Sequence, residues 1–217
     1  MPNNLESCNA PNFIIKDFVT RTGSHYGFFN NNGIISIAAQ CTVFDFLIDA
    51  PENYGISNEK YRTTIFMDRA DCNRQLPENG YQISCNTLCD TSAFLAWAHQ
   101  TIRALLQPLI MQGMTGTDAT SLVSVLQQEP SQRFAFQTFS LSEFYKNISS
   151  YSKLNTSSGL FVVISSGNDL SLDTYNKIGE QIDRMLDDNC VVHVGTCIYP
   201  KQEQIDVAIL YGLSPSN

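Results

Sequence analysis

The fold of this chain is decided by 159-GLFVVISSGNDLSLDTYNKIGEQIDRMLDDNCVVHVGTCIYPKQEQIDVAILYG-212. The apolar run at 159–166 is typical of a strand that is buried on both faces. Apolar residues then recur at helical spacing after Ser171, which is a good helix-capping residue. Two more apolar runs, at 191–198 and 204–213, predict strands joined by a polar turn, and we expect these two strands to form an antiparallel pair. The stretch therefore predicts an α/β layer with a mixed sheet.

The chain upstream of this stretch also alternates between helix and strand. An apolar stripe at helical spacing begins after Asp90 or Thr91 and contains Pro108, which we expect to kink the last turn of a long helix. The predicted elements are a helix at 91–110, a loop at 111–117, a helix at 118–127, a strand at 133–141 and a helix at 142–154. Further upstream lie a short apolar run at 13–19, a turn at 30–33, strand-like runs at 35–38 and 41–48, a strand at 63–67 and irregular chain at 68–80.

Composition excludes several classes of partner. The chain has 217 residues, of which 43% are hydrophobic, so a sizeable core can form. Its formal net charge of −8, from 13 basic and 21 acidic residues, argues against nucleic acid and against an anionic membrane surface. No run approaches the ~18 apolar residues of a membrane span, and the polar N-terminus lacks the features of a signal peptide. We therefore expect a cytoplasmic protein without a membrane span.

The chemically reactive residues do not form a recognisable catalytic or metal site. Cys85 and Cys89 have the spacing of a redox pair or of half a zinc site, but no second pair completes such a site. We therefore expect structural thiols, no metal and no cofactor. His193 interrupts an apolar strand, and we expect it to be a satisfied core residue rather than a base. The seven scattered cysteines favour reduced thiols over a disulfide framework; they are Cys8, Cys41, Cys72, Cys85, Cys89, Cys190 and Cys197.

The stretch 159–212 resembles the C-terminal domain of FtsZ, the bacterial relative of tubulin. That family has a strand ending in a small-residue turn, then Asp-Leu-x-Leu and a helix, an apolar strand ending in Gly, a Pro-containing turn and a final strand. The corresponding pieces here are GLFVVISSGNDLSLD, YNKIGEQIDRML, VVHVGTCIYP and IDVAILYG. The resemblance implies a mixed sheet packed with helices, as in the FtsZ/tubulin C-terminal domain, preceded by a long central helix.

The resemblance extends to the loop after that helix. In FtsZ this loop has the form Gly-Leu-Ile-Asn-x-Asp-Phe-Ala-Asp-Val and enters the nucleotide pocket of the next subunit, where its acids position the water that attacks GTP. The counterpart here is 113-GMTGTDATSL-122, in which Gly113 matches the Gly, Asp118 the first Asp and Leu122 the Val. The family Asn is replaced by Gly116, and the second acid by Ser121. Ser121 cannot replace a carboxylate as a base or as a group that orients water near neutral pH.

The departures from the family extend to the nucleotide site. On the central helix, Thr91 stands at about the position of the family's base-contacting Phe and Ala96 at that of its Asp. The glycine-rich GGGTGTG phosphate loop is absent, and so are the other glycine-rich phosphate-binding patterns. Phosphate binding needs convergent backbone donors, and no segment here offers the glycines for it. We therefore expect neither GTP binding nor GTPase activity.

These observations predict four segments. Residues 1–12 are expected to be disordered, and 13–90 to form a reduced, divergent N-terminal α/β segment. Residues 91–112 are expected to form the central helix, and 113–217 the FtsZ-like C-terminal domain. The resemblance relates TTIFMDRAD at 63–71 to the last strand of the family's nucleotide-binding domain. Residues 13–49 are either a remnant of that domain or unrelated to it.

Four functions are compatible with this sequence. The first is a non-catalytic FtsZ/tubulin-like protein that binds or modulates a cytoskeletal polymer of the cell-division type, or itself, through an interaction loop containing Gly113, Gly116, Thr117, Asp118 and Ser121. The second is a partner that completes the GTPase site of another subunit through Asp118. The third is a repurposed scaffold subunit of another assembly. An enzyme of a new type remains a fourth alternative, because the cysteines and histidines have no assigned role.

Overall fold

The computed structural model of this protein describes residues 12–26, 29–30, 33–34, 43–55, 62–111, 113–151, 154–168, 170–187 and 189–213. Disorder was predicted for residues 1–12, of which 1–11 lie outside these ranges, whereas Asn12 belongs to a strand. The strand-like run predicted at 35–38 also lies outside them. The chain divides into two compact units, residues 1–98 and 99–217. Among the described residues, no helix combines the length and the apolar character that crossing a bilayer requires.

The first unit is built on strands. They are β1 (Asn12–Asp17), β2 (Thr22–Tyr26), β3 (Phe29–Asn30), β4 (Gly33–Ile34), β5 (Val43–Ile48), β6 (Arg62–Asp68) and β7 (Gly80–Ser84). The order is β2-β1-β5-β6-β7, in which β1, β5, β6 and β7 are parallel and β2 is antiparallel to β1. The short strands β3 and β4 pair with Asn30 opposite Gly33, where the sequence predicted a turn. Apolar side chains of β5 and β6, such as Phe46 and Ile65, are fully buried.

Strand β7 was not predicted from the sequence. Its sequence, GYQIS, begins with glycine and places a glutamine between two apolar residues. Gln82 is nevertheless fully buried, because its side-chain amide donates to the Asp68 carboxylate at 2.7 Å and to the Cys72 carbonyl at 3.2 Å. A buried amide is tolerated where its hydrogen bonds are made. The acceptors here belong to β6 and to the loop after it, so the residues next to Gln82 in the sequence do not reveal them.

The second unit contains the predicted alternation of helices and strands. Helix α1 (Thr91–Ile110) begins in the first unit and ends in the second. It is followed by α2 (Ala119–Gln128), β8 (Arg133–Ser140), α3 (Leu141–Asn147), β9 (Gly159–Ser166), α4 (Leu172–Asp183), β10 (Val191–Ile198) and β11 (Asp206–Gly212), with short 3-10 turns at Ile148–Ser150 and Leu154–Thr156.

The expected antiparallel pairing of the last two strands is wrong. The strand order is β10-β9-β11-β8, so β11 lies between β9 and β8 and is antiparallel to both, while β10 is parallel to β9. Helix α4 connects β9 to β10 as a crossover, and adjacent strands joined by such a crossover helix are parallel. From Val207 to Gly212 every residue of β11 is buried, whereas Val191 to Val194 of β10 are half-buried. The strand that is apolar on both faces takes the interior position, and β10 takes the edge.

Helices α3 and α4 cover one face of this sheet. Ser171 caps α4, as the sequence predicted, because its hydroxyl accepts a hydrogen bond from the Thr174 backbone N–H at 3.1 Å. The face of α4 that contains Ile178 and Ile182 is buried in the core. That core includes side chains of every strand except β10, whose Val192 and Val194 pack against it while half-buried. The core members are Ala135, Phe139, Phe144, Ile148, Leu154, Leu160, Val162, Ile164, Leu170, Ile178, Ile182, Val207, Ile209 and Tyr211.

Candidate interaction site

The loop between α1 and α2 is attached to the outer edge of β10. The Val191 N–H donates to the Ser158 carbonyl, so alternate residues of β10 face β9 and the backbones of Val194 and Thr196 face away from it. The loop forms hydrogen bonds with groups on this outer edge. The Met114 and Thr115 N–H groups donate to Thr196 Oγ1 at 2.6 and 3.2 Å. The Thr115 hydroxyl donates to the Val194 carbonyl at 3.1 Å.

Two glycines allow the loop to approach this closely. A Cβ atom on Gly113 would overlap the carbonyl oxygen and the Oγ1 of Thr196. A Cβ atom on Gly195 would lie 2.7 Å from Cβ of Pro108 and 3.0 Å from Oγ1 of Thr117. By contrast, Gly116 has no heavy atom within 4 Å of the position of a Cβ. The loop is therefore held against β10 at Gly113 and Gly195, and it is open to solvent around Gly116.

Asp118 caps helix α2. Its Oδ1 accepts hydrogen bonds from the Thr120 hydroxyl at 2.7 Å, the Ser121 N–H at 2.9 Å and the Ser121 hydroxyl at 3.0 Å. These bonds, above all the one from Thr120, outweigh the effect of burial and lower the pKa of Asp118 below its ordinary value. The side chain is exposed, so Asp118 presents an ionised carboxylate at neutral pH. The sequence placed Asp118 inside the helix, and the structure makes it the N-cap.

The five predicted loop residues therefore fall into two groups and one outlier. Gly113 and Thr117 lie against β10, while Asp118 and Ser121 bind each other at the start of α2. Gly116, at the position of the family asparagine, is exposed between the two groups. The Ser121 hydroxyl, at the position of the second family acid, donates to the only carboxylate of the loop.

Two apolar side chains beside the loop are exposed. Ile110 is the last residue of α1 and is 42% exposed, and Met114 in the loop is 41% exposed. Ile110 precedes Asp118 by eight residues in the sequence, and Met114 precedes it by four. The site thus combines a fixed backbone, two exposed apolar side chains and one negative charge.

His193 has a partner that sequence reasoning missed. Its Nε2 lies 2.9 Å from the Ser124 hydroxyl oxygen, and that hydroxyl also donates to the Ser121 carbonyl at 3.0 Å. Because Ser124 donates elsewhere, its oxygen is left to accept from His193, an arrangement that does not activate serine as a nucleophile. Ser121 and Ser124 are one helical turn apart, but nothing in the sequence connects α2 with the middle of β10.

A groove of about 300 Å³ lies within the second unit. The Tyr199 hydroxyl beside it is buried and has no hydrogen-bond partner among the described residues. Burial raises the pKa of Tyr199 to about 12, an effect increased by Cys197 and opposed by Arg103. Burial also raises the pKa of Asp206. The polar lining of the groove includes Gln100, Arg103, Gln107, Ser165, Tyr199 and Asp206, which are too far apart in the sequence to be grouped from it.

In the first unit, the chain's own side chains occupy the carboxyl ends of the parallel strands. Arg74 is 2% exposed, and its guanidinium binds both oxygens of Asp68 at 2.8 Å. It also donates to the carbonyls of Ala50 at 2.7 Å and Pro51 at 2.9 Å, which follow β5. Ligands of parallel sheets bind outside this edge. Among the described residues, no group of three or more His, Cys, Asp and Glu side chains could hold a metal ion.

Comparison with known proteins supports the fold and no closer relationship. No protein-family model matches the chain, and no curated protein matches it. Among solved structures, the chain is similar to a mutant FtsZ from M. jannaschii, with a TM-score of 0.57, 12% identity and coverage of 80% of this chain and 65% of that one. An empty FtsZ dimer from M. jannaschii gives a TM-score of 0.54, 12% identity and coverage of 78% and 62%.

A third similar structure is CetZ from Methanosaeta thermophila, with a TM-score of 0.46, 11% identity and coverage of 81% of this chain and 53% of that one. The chain thus spans less than two thirds of the length of the FtsZ structures that it matches. The similarity covers most of this chain, and it confirms the fold predicted from residues 159–212. This protein therefore has an FtsZ/tubulin-like fold.

Proposed function

We propose that this protein is a non-catalytic FtsZ-like protein that binds a cytoskeletal polymer, or a second copy of itself, through the loop from Gly113 to Ser121. The observation that carries the proposal is the attachment of this loop to β10. Thr196 accepts from two consecutive N–H groups of the loop, so the loop is ordered before any partner arrives. A preformed surface loses less conformational entropy on binding than a free loop does.

The exposed side chains of the loop support a protein partner. Met114 and Ile110 would be buried in such an interface, and the Asp118 carboxylate would pair with a basic group at its rim. An M. jannaschii FtsZ with the same fold is described as a dimer. Self-association or binding to an FtsZ-like subunit is therefore the first partner to test.

The absence of catalysis is part of the proposal. The chain lacks a glycine-rich phosphate loop, and the edge of the sheet where parallel-sheet proteins bind ligands is occupied by Arg74, bound to Asp68 and to backbone carbonyls. A nucleotide at this edge would have to displace a buried ion pair and several hydrogen bonds. In the loop, Ser121 replaces the second acid, so one carboxylate remains where the FtsZ reaction uses two.

Co-sedimentation with polymerised FtsZ from the same organism tests the proposed interaction. We expect the protein to pellet with the polymer or to change the amount of polymer formed. Met114→Ser should weaken the association at least about fivefold, as for an interface residue worth about 1 kcal/mol. Tyr145→Ser is the matched control, because Tyr145 on α3 is 40% exposed and distant in sequence from the loop.

Two results would decide against this partner. If the protein neither associates with FtsZ nor changes its assembly, and is a monomer by size-exclusion chromatography, the polymer-binding function is wrong. If pull-down from the same cells returns partners but no cytoskeletal protein, the fold serves as a scaffold in another assembly.

A second function is favoured by the exposed, ionised carboxylate of Asp118. In this alternative, Asp118 reaches into the GTP site of a partner subunit and contributes one of its two acids. Asp118→Asn is the appropriate variant, because asparagine caps helices about as well as aspartate and removes only the charge. If partner GTP turnover is the same with the wild type and with Asp118→Asn, the alternative is wrong.

A further inference from the structure

Two thiols lie close together just before helix α1. Cys85 follows β7 and is 4% exposed, whereas Cys89 precedes Asp90 and is half-buried. Their Sγ atoms are 3.8 Å apart. The Asp90 carboxylate accepts the Ala93 N–H at 2.8 Å and so caps α1 at the end of the same segment. The segment 85–89 therefore begins and ends with sulfur, next to the start of the longest helix.

The greater exposure of Cys89 favours a stepwise reaction that begins at this thiol. Burial, followed by the hydrogen bond with Cys85, raises the pKa of Cys89, and the positive charge of Arg69 opposes that rise. Arg69 is held in place by Asp49 at 3.2 Å and by stacking over the ring of Phe94 at 4.5 Å. Cys85 is reached from solvent less easily than Cys89, and its Sγ lies 3.8 Å from the Thr87 hydroxyl.

We propose that Cys85 and Cys89 form a redox modification site, a dithiol that is oxidised to an intramolecular disulfide by small-molecule disulfides such as oxidised glutathione. The half-buried Cys89 is the attacking thiol, and the buried Cys85 is the resolving thiol. This site lies in the first unit and is independent of the proposed interaction loop. The sulfurs need to approach from 3.8 Å to about 2 Å.

The reaction is a thiol–disulfide exchange in two steps. The Cys89 thiolate attacks one sulfur of the small disulfide, whose S–S bond breaks, and one small thiolate leaves with the bonding electron pair and takes up a proton. The Cys85 thiol then loses its proton to solvent and attacks Sγ of Cys89, which releases the second small thiol. The protein loses two electrons and two protons, and one small disulfide becomes two thiols.

The other described cysteines lack this arrangement. Cys72, Cys190 and Cys197 are free, and no second sulfur of the described residues lies within hydrogen-bonding distance of any of them. Burial raises the pKa of Cys72 to about 11 and that of Cys197 to about 12, so the thiolate fraction of both is very small at neutral pH. Cys190 is half-buried, as Cys89 is, and therefore serves as the matched control.

Oxidation closes a ring over the segment that carries Leu88. This side chain is 87% exposed, and in the sequence it lies between the two cysteines, two residues before the Asp90 cap of α1. A disulfide removes backbone freedom from the segment. The backbone that carries Leu88 is therefore more rigid in the disulfide form than in the dithiol form.

Peptide mapping of the full-length wild-type protein tests the site. The protein is equilibrated with reduced and oxidised glutathione, alkylated with N-ethylmaleimide and digested. We expect the peptide containing Cys85 and Cys89 to be unalkylated, free of glutathione and lighter by about 2 Da than the dithiol form. Two alkylated cysteines, or a stable glutathione on each, under conditions that modify Cys190 would overturn the proposal.

Single variants test the order of the two steps. Cys85→Ser should accumulate glutathione on Cys89, because the resolving thiol is missing. Cys89→Ser should leave Cys85 slow to react, and Cys190→Ser should form the disulfide as the wild type does. Oxidation of Cys85 in Cys89→Ser as fast as in the wild type would contradict the assigned roles, and near-ultraviolet circular dichroism of each variant confirms that it has folded.

Discussion

At the scale of single residues, the interaction loop depends on glycine at one position and not at another. Gly113 lies so close to the backbone of Thr196 that a β-carbon has no room, and a backbone carbonyl cannot rotate away as a flexible side chain can. Gly116 is surrounded by open space and does not have a left-handed backbone conformation. Two glycines three residues apart are therefore predicted to respond to alanine in opposite ways.

We predict that Gly113→Ala destabilises the protein by about 1–3 kcal/mol, as expected for overpacking against a rigid neighbour. Gly116→Ala should leave stability unchanged or raise it by up to about 1 kcal/mol, because alanine restricts the unfolded chain. Urea denaturation of the two variants measures the difference. Equal stability of the variants would show that the loop is not held against β10 as the structure has it.

Asp118 leads to a second prediction at this scale, on the dependence of stability on pH. Its pKa is lower in the folded protein than in the unfolded chain, so the ionised form stabilises the fold above the unfolded pKa and that stabilisation is lost as pH falls through the folded pKa. Asp118→Ala should cost about 1 kcal/mol at pH 7 through loss of the cap. The free energies of unfolding of the wild type and of Asp118→Asn should become more alike as pH falls below about 4, because protonation removes the charge that distinguishes the two side chains. A difference in free energy of unfolding that grows on acidification would contradict the assigned cap.

At the scale of elements, the connection from β6 to β7 is anchored by one buried cation. The Arg74 guanidinium binds the Asp68 carboxylate and carbonyls after β5, and it also lies 4.1 Å from the ring centroid of Phe66. Gln82 of β7 donates to the same carboxylate. Strands β6 and β7, the connection between them and the chain after β5 therefore share one polar network. The network compensates for the cost of burying two charges.

We predict that Arg74→Met destabilises the protein by about 3–5 kcal/mol, because it leaves the Asp68 carboxylate buried without its cation. The double variant Arg74→Met with Asp68→Leu should recover part of that loss. Lys177→Met is the control: its partner Asp173 is exposed, so we expect little change. Chemical denaturation measures all three, and a loss for Arg74→Met no larger than for Lys177→Met would contradict the network.

At the scale of the whole molecule, the chain combines an FtsZ/tubulin-like fold with an incomplete set of FtsZ motifs. It spans 65% and 62% of the two FtsZ chains to which it is similar. The two stretches that resemble FtsZ, residues 159–212 and the loop 113–122, lie in the second unit. In the first unit, the phosphate loop is absent from the sequence and the ligand edge of the sheet holds Arg74. The sequence motifs that resemble FtsZ therefore lie mainly in the second unit.

We predict that the purified protein does not bind GTP. Titration with a fluorescent GTP analogue at micromolar concentrations should give no saturable signal, because the sequence lacks the glycine-rich loop that supplies convergent backbone donors to phosphates. A polymer-forming FtsZ provides the positive control in the same buffer with magnesium. Saturable binding by this protein would overturn the proposal that it acts without its own nucleotide.

The sequence determined the features that depend on neighbours along the chain. A continuous apolar run predicted β9, helical periodicity predicted α1 and α4, and the cap of α4 at Ser171 followed from local hydrogen-bonding chemistry. The motif resemblance predicted the fold and the loop around Asp118. The tertiary structure decided what depends on residues far apart: β11 entered the sheet beside β9, Thr196 anchored the loop, and Arg74 reached Asp68. Propensity and capping act over one or two turns, whereas strand order and buried polar partners depend on which distant segments can exclude water together.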